Sequence, residues 1–205
     1  MGESVQRRDP GDGPAPVVVV LLHGRGADPA SMWSLVDALP NLPVSWLAPA
    51  APGGTWYPQS FLAPIEANQP ALRRALSLVG TVIADAGVER SRVVLFGFSQ
   101  GACLAVEYAL RQPGRYGGLV LLTGGAIGPP GTMWEGPAAF AGTPVFCGTS
   151  DPDPHVPVER VRDTVDVLSR RGASVRLEVY PGMGHTVNAH ELERAAEIID
   201  MTTSR

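Results

Sequence analysis

The chain has 205 residues, 44% of them hydrophobic and 18% charged, and a net charge of −4 at pH 7. These figures describe one soluble globular domain with enough apolar content for its own core, and they exclude a disordered chain. The arginine pairs at 7–8, 73–74 and 170–171 are short and far apart, so no nucleic-acid footprint is legible. The longest apolar run, 17–22, is far too short to span a bilayer.

The first sixteen residues, MGESVQRRDPGDGPAP, are rich in Gly, Pro, Asp and Arg. They predict a flexible tail, with a single domain over 17–205. The stretch has no apolar h-region and Gln6 breaks the myristoylation pattern, so a cytoplasmic location without a stable membrane anchor is expected. From residue 17 strand-like and helix-like segments alternate, which predicts an α/β fold with a mostly parallel sheet. Strands are expected at 17–22, 44–48, 92–97, 118–123, 143–148 and 174–180. Several are continuous apolar runs, as strands covered on both faces require. The last, SVRLEVY, alternates and suits a sheet edge.

Helices are expected at 31–38, 69–86, 100–112, 157–171 and 188–201. In the fourth, Val158, Val161, Val165 and Leu168 recur on one face, and Gly172 follows as a stop. Two Gly/Pro-rich loops, 49–68 and 124–142, are long enough to suggest function. The two cysteines, Cys103 and Cys147, fall in a helical and an apolar segment and read as small buried hydrophobes. No metal-ligand spacing occurs, and neither metal nor cofactor is expected.

The chemistry concentrates at VVLFGFSQGACLAV, residues 93–106. Gly97-Phe98-Ser99-Gln100-Gly101 matches G-x-S-x-G between a strand and a helix, the context of a nucleophile elbow. A sharp turn there lifts the Ser99 hydroxyl above the sheet and needs small residues two before and two after it. It also aims the Gln100 N–H, at a helix N-terminus, toward the space where an oxyanion would form. The plainer reading is that Ser99 is only a helix cap.

A serine nucleophile needs a base and a group to orient that base. Of four histidines, His185 lies in YPGMGHTV, straight after the last strand, where the ligand crevice of an open α/β sheet is found. It is the expected general base. The loop after the fifth strand, SDPDPHVP, offers Asp151 and Asp153 for the acid, and position alone does not separate them. One of them could instead cap the following helix. LLHGRGADP, after the first strand, supplies the second oxyanion donor, the N–H of Arg25 with Gly24 as the alternative. His23 is expected to brace this turn with Gly24. A phosphate-loop reading fails because no Lys-Ser or Lys-Thr follows. Trp56, Tyr57, Phe61 and Leu62 in the first long loop, with Met133, Trp134 and Phe140 in the second, are the candidate acyl-pocket walls.

With LLHGRG, APGGTWYP, GFSQGA, DPHVP and GMGH in that order, residues 17–200 resemble the α/β-hydrolase superfamily. Within it, the chain is similar to the small phospholipase/carboxylesterase family. The resemblance implies a sheet of about six or seven strands flanked by helices, with no large cap domain. The family's D-x-x-V-P pattern selects Asp153 over Asp151. Arg25 stands where members usually carry a small hydrophobic residue, so its side chain is free to meet a polar or acidic group of the substrate. The implied activity is a carboxylesterase that cleaves small to medium acyl or aryl esters through an acyl-enzyme, with Ser99, His185 and Asp153 as catalytic residues. Gly97 and Gly101 support the elbow. A thioesterase or lysophospholipase acting on acyl-protein, acyl-CoA or lysolipid is the main alternative, and a non-catalytic protein of the same fold the lesser one. The implied partner is a small-molecule ester. Family members also pair as homodimers, and no feature of this sequence decides that point.

Overall fold

The computed structural model describes residues 4–11 and 13–204. Within these residues seven strands form one sheet in the order β1-β3-β2-β4-β5-β6-β7. They are β1 (Val5–Arg8), β2 (Val18–Leu22), β3 (Ser45–Pro49), β4 (Val93–Phe98), β5 (Gly118–Leu122), β6 (Pro144–Asp151) and β7 (Ser174–Pro181). All neighbours are parallel except β1, which runs antiparallel to β3 at the sheet's edge.

The β1 strand corrects the expected flexible tail over 1–16. Arg7 and Arg8 carried no strand pattern, yet the four residues pair with Trp46–Pro49. Side chains then hold the strand. Arg8 lies 4.2 Å from the Trp33 ring centroid and donates to Asp37, and the Trp33 indole donates to Gln6. Positions 1–3 and 12 of that expected tail lie outside the described residues.

Among the described residues five α-helices complete the fold: α1 (Pro29–Asp37), α2 (Ala71–Asp85), α3 (Gln100–Arg111), α4 (Val158–Arg170) and α5 (Ala189–Thr203). Successive residues of a strand point to opposite faces. Val18, Val20 and Leu22 of β2 accordingly pack in the core under α2, α3 and α4. Val17, Val19 and Leu21 pack in the other core, with Met32 of α1 and Ile198 of α5. Burial on both faces is why these strands read as unbroken apolar runs. The alternating β7 is the second edge, as its pattern predicts. Gly172, at φ +89°, closes α4 with a double turn, its N–H bonding to Ser169 and that of Ala173 to Leu168. Among the described residues no helix is long and apolar enough to cross a membrane.

Candidate active site

The site gathers at the carboxyl ends of β2, β4, β6 and β7. Ser99 joins β4 to α3 with φ 54° and ψ −119°, a left-handed conformation that a serine occupies only under constraint from its surroundings. The constraint is visible in its neighbours. A Cβ on Gly97 would come within 2.5 Å of the Ala102 nitrogen, and one on Gly101 would collide with the Leu22 carbonyl. The corner therefore tolerates no side chain at either glycine. Backbone bonds from Ser99 N–H to Leu122 and from Cys103 N–H to Ser99 then fix the turn.

The Ser99 hydroxyl does not cap α3. It lies 2.9 Å from His185 Nε2, and His185 Nδ1 lies 2.9 Å from Asp153 Oδ2. With the Nδ1 proton donated to the carboxylate, Nε2 presents its lone pair to the hydroxyl. The other oxygen, Asp153 Oδ1, accepts the N–H groups of His155 at 2.7 Å and Val156 at 2.8 Å. Burial works against the Asp153 charge. The N–H of His155, the His185 ring and the N–H of Val156 outweigh it and lower the pKa below the ordinary carboxylate value. Asp151 stays exposed at the end of β6, and its carbonyl accepts the Gly182 N–H. Neither aspartate caps α4, whose N-cap is Pro157.

Gln100 opens α3, so its N–H belongs to the first turn, whose donors have no partner within the helix. Its side chain fastens the 49–68 loop: Oε1 accepts the Trp56 N–H at 3.0 Å and Nε2 donates to the Tyr57 carbonyl at 2.8 Å. The His23–Arg25 turn lies against the elbow, where a Cβ on Gly24 would stand 3.5 Å from Ser99 Cβ. His23 braces this turn as expected. It is fully buried, its Nδ1 bonds to the Gly24 carbonyl, and its Nε2 accepts the Ala51 N–H. Burial lowers its pKa, more than the bond to Gly24 raises it, and so keeps the ring neutral.

A cavity of about 490 Å³ opens over Ser99, lined by Arg25, Tyr57, Phe61, Gln100 and His185 among others. Of the seven expected wall residues, Tyr57 and Phe61 line it and five are elsewhere. Trp56 is buried behind the loop, its indole donating to the His23 carbonyl. Met133, 76% exposed, and Trp134 border a separate groove against α4 with Asp163 and Arg170. Trp134 is held there by its bond to the Ile127 carbonyl and by Arg160, 5.1 Å from its ring centroid. Leu62 and Phe140 pack against the core.

Sequence reasoning missed Ser60, Cys103, His155 and Val156 as cavity lining. Two of them carried a signal. Cys103 follows Ser99 by four residues, which on a helix means the same face. His155 lies inside the acid loop, and its ring stands edge-on to His185 at 4.8 Å. The Arg25 guanidinium turns to the protein's own loop, donating to the carbonyls of Pro58 at 2.6 Å and Gln59 at 2.5 Å. Among the described residues no cluster of His, Cys, Asp and Glu has metal-binding geometry. Burial pushes the Cys103 thiol up to about 11 and that of Cys147 to about 12, so both remain neutral.

In sequence and fold the chain is similar to solved and curated proteins. A phospholipase/carboxylesterase from Dyadobacter fermentans superposes with a TM-score of 0.89 at 40% identity, over 97% of this chain and 96% of that one. Acyl-protein thioesterase 1 of Saccharomyces cerevisiae is 26% identical over 93% of this chain and 95% of its own length. Carboxylesterase SOBER1 of Arabidopsis thaliana is 24% identical over 85% and 86%. The family model described as phospholipase/carboxylesterase matches residues 8–203. A serine elbow at the end of the fourth strand, read together with that nearly complete match, means that the chain belongs to the phospholipase/carboxylesterase family.

Proposed function

We propose that this protein is a serine esterase acting on small to medium carboxylic esters, with Ser99, His185 and Asp153 as its catalytic residues. The observation that carries this is the unbroken line of bonds from Asp153 through His185 to a serine that caps nothing. Ser99 Oγ attacks the ester carbonyl while His185 Nε2 takes its proton. Asp153 holds the ring in its tautomer and stabilises the imidazolium. The N–H groups of Gln100 and Arg25 receive the oxyanion, each worth roughly 3 kcal/mol of barrier. The proton passes to the departing alkoxide, and a water activated by the same histidine releases the acid from the acyl-enzyme. The substrate is a small molecule, and the enzyme works in the cytoplasm.

Hydrolysis of p-nitrophenyl esters from acetate to laurate tests this, with wild type beside Ser99→Ala. Activity that persists in the variant, or a folded wild type that neither cleaves these esters nor takes a fluorophosphonate label, sinks the reading. A thioesterase reading is favoured by the similarity to the yeast acyl-protein thioesterase, and the same machinery would serve it. Oxygen and sulfur esters of one acyl group, compared by kcat/KM, decide between the two.

A further inference from the structure

The two edges of the sheet carry different charge patterns. β1 bears Arg7 and Arg8 and no acid, the like charge by which an exposed edge resists pairing. β7 bears one charge of each sign, Arg176 and Glu178, two residues apart and therefore on one face. They bond to each other, Arg176 Nε donating to Glu178 Oε1 at 2.9 Å. Every residue of β2, β3 and β5 is buried, whereas each residue of β7 is exposed or only partly buried.

The backbone of β7 has a fixed orientation. The Ser174 N–H bonds to the Thr143 carbonyl and the Gly182 N–H to the Asp151 carbonyl. Even-numbered residues of the strand therefore turn their backbone groups toward β6. Those of Val175, Leu177 and Val179 turn outward, where no further strand lies among the described residues. The side chains of Val175 and Leu177 pack against the core that includes Val161 and Leu168 of α4, so the charged pair lies on the opposite face.

We propose that β7 pairs with the β7 of a second copy of this chain, antiparallel about a twofold axis at Leu177, joining the two sheets into one. In this register the outward groups of Leu177 meet those of Leu177 in the second copy, and Val175 meets Val179. Each of these pairs can exchange both backbone bonds. Between them, Arg176 stands directly opposite Glu178 of the second copy, with Cα atoms about 4.5 Å apart, and the axis repeats that pair. Apolar side chains thus meet on one face and opposite charges on the other. A shift of two residues either way sets Arg176 against Ser174 or Gly182 and loses both ion pairs. The strands run oppositely, so the two Ser99 cavities open at opposite ends of the joined sheet and neither covers the other. The proposal stands apart from the esterase reading.

Sedimentation equilibrium from about 1 to 100 µM tests it, because pairing through a single strand makes a small interface of the weak class. Wild type should pass from monomer toward dimer across that range. Glu178→Arg sets arginine against arginine on both sides of the axis, and the dissociation constant should rise about tenfold or more. Arg176→Glu alone sets glutamate against glutamate and should act alike. The two substitutions together exchange the signs and should bring the constant back to within about threefold of wild type. Melting curves at the lowest concentration should stay near wild type for all three variants, since both side chains lie at the sheet's edge. A wild type that is monomeric at the highest concentration overturns the proposal. So does a dimer that neither single change weakens, or one that the paired exchange fails to restore, because that dimer uses another surface.

Discussion

The Ser150 hydroxyl accepts the Gly184 N–H at 2.8 Å, and through that bond the strand that carries the acid holds the loop that carries the base. Ser150 is fully buried, with the carbonyls of Pro152 at 3.2 Å and Tyr180 at 3.3 Å to take its own proton. A second tie runs alongside, from the Gly182 N–H to the Asp151 carbonyl at 3.0 Å. His185 follows directly on this anchored backbone, so its reach to Ser99 depends on Ser150 without any contact between the two.

Removing that anchor should therefore cost turnover more than binding. Ser150→Ala leaves the Gly184 N–H without its partner, at about 1 kcal/mol of stability. The freed loop misplaces the imidazole, and kcat should fall roughly ten- to a hundredfold. KM should stay nearly level. Steady-state kinetics with a melting curve check this, and an unchanged kcat would show that the loop is held by its other bonds.

The two aspartates of the acid loop should behave very differently. Asp153→Asn offers the wrong partner to His185 Nδ1, and a loss of roughly 10³–10⁴ in kcat is expected, as for the acid of any such arrangement. Asp151→Asn alters an exposed side chain whose backbone does the bonding, and should keep kcat within about twofold, as surface changes usually do. Parallel assay of the two variants checks both at once. Equal losses would remove the special place given to Asp153.

Arg25 fastens the loop over the cavity rather than reading a charge. Arg25→Leu releases the Pro58 and Gln59 carbonyls and uncovers the Tyr57 ring. The bonds are solvent-exposed, so the stability loss should be only about 1 kcal/mol. KM should rise several-fold for all esters alike. Selectivity between neutral and acidic esters should not move. A selective loss of acidic esters would instead place the guanidinium on the substrate. Arg25→Lys should recover little, because a single ammonium cannot span two carbonyls as the fork does.

How far the sequence carries the structure depends on where each signal resides. Doubly buried strands such as β2 and β4 announce themselves because every residue is apolar. The Ser99 corner does so because only glycine fits at 97 and 101. His185 was legible from its place after the last strand. Asp153 was not separable from Asp151 by position, since only the direction of the carboxylate distinguishes them. The β1 strand escaped notice because all four of its residues are exposed and no periodic pattern marks them. Its order comes from pairing with β3 and from the stacking of Arg8 on Trp33, both long-range. The misplaced pocket walls have the same origin. Met133 and Trp134 have the right character for a pocket, but Arg160 binds the Ala126 and Gly128 carbonyls and holds their loop against α4.

The base loop continues into α5, and there a buried carboxyl should make stability depend on pH. Glu191 is fully buried in a capping box: its Oε2 accepts the Asn188 N–H at 2.9 Å, and the Asn188 side chain accepts its own N–H at 3.0 Å. Its other oxygen has no partner. Burial pushes its pKa up to about 7, against the smaller opposing effect of the Asn188 N–H. A carboxyl whose pKa is raised on folding contributes stability that is complete below the unfolded value and is lost as pH climbs through the folded one. The loss therefore runs from about pH 4.5 to a little above 7 and amounts to roughly 3 kcal/mol when complete. Glu191→Gln keeps a side chain that can close the box and abolishes the ionisation. Its melting temperature should match wild type near pH 5 and exceed it at pH 8. Melting curves across that range decide the matter, and parallel curves for the two proteins would mean that Glu191 ionises at no cost in the folded state.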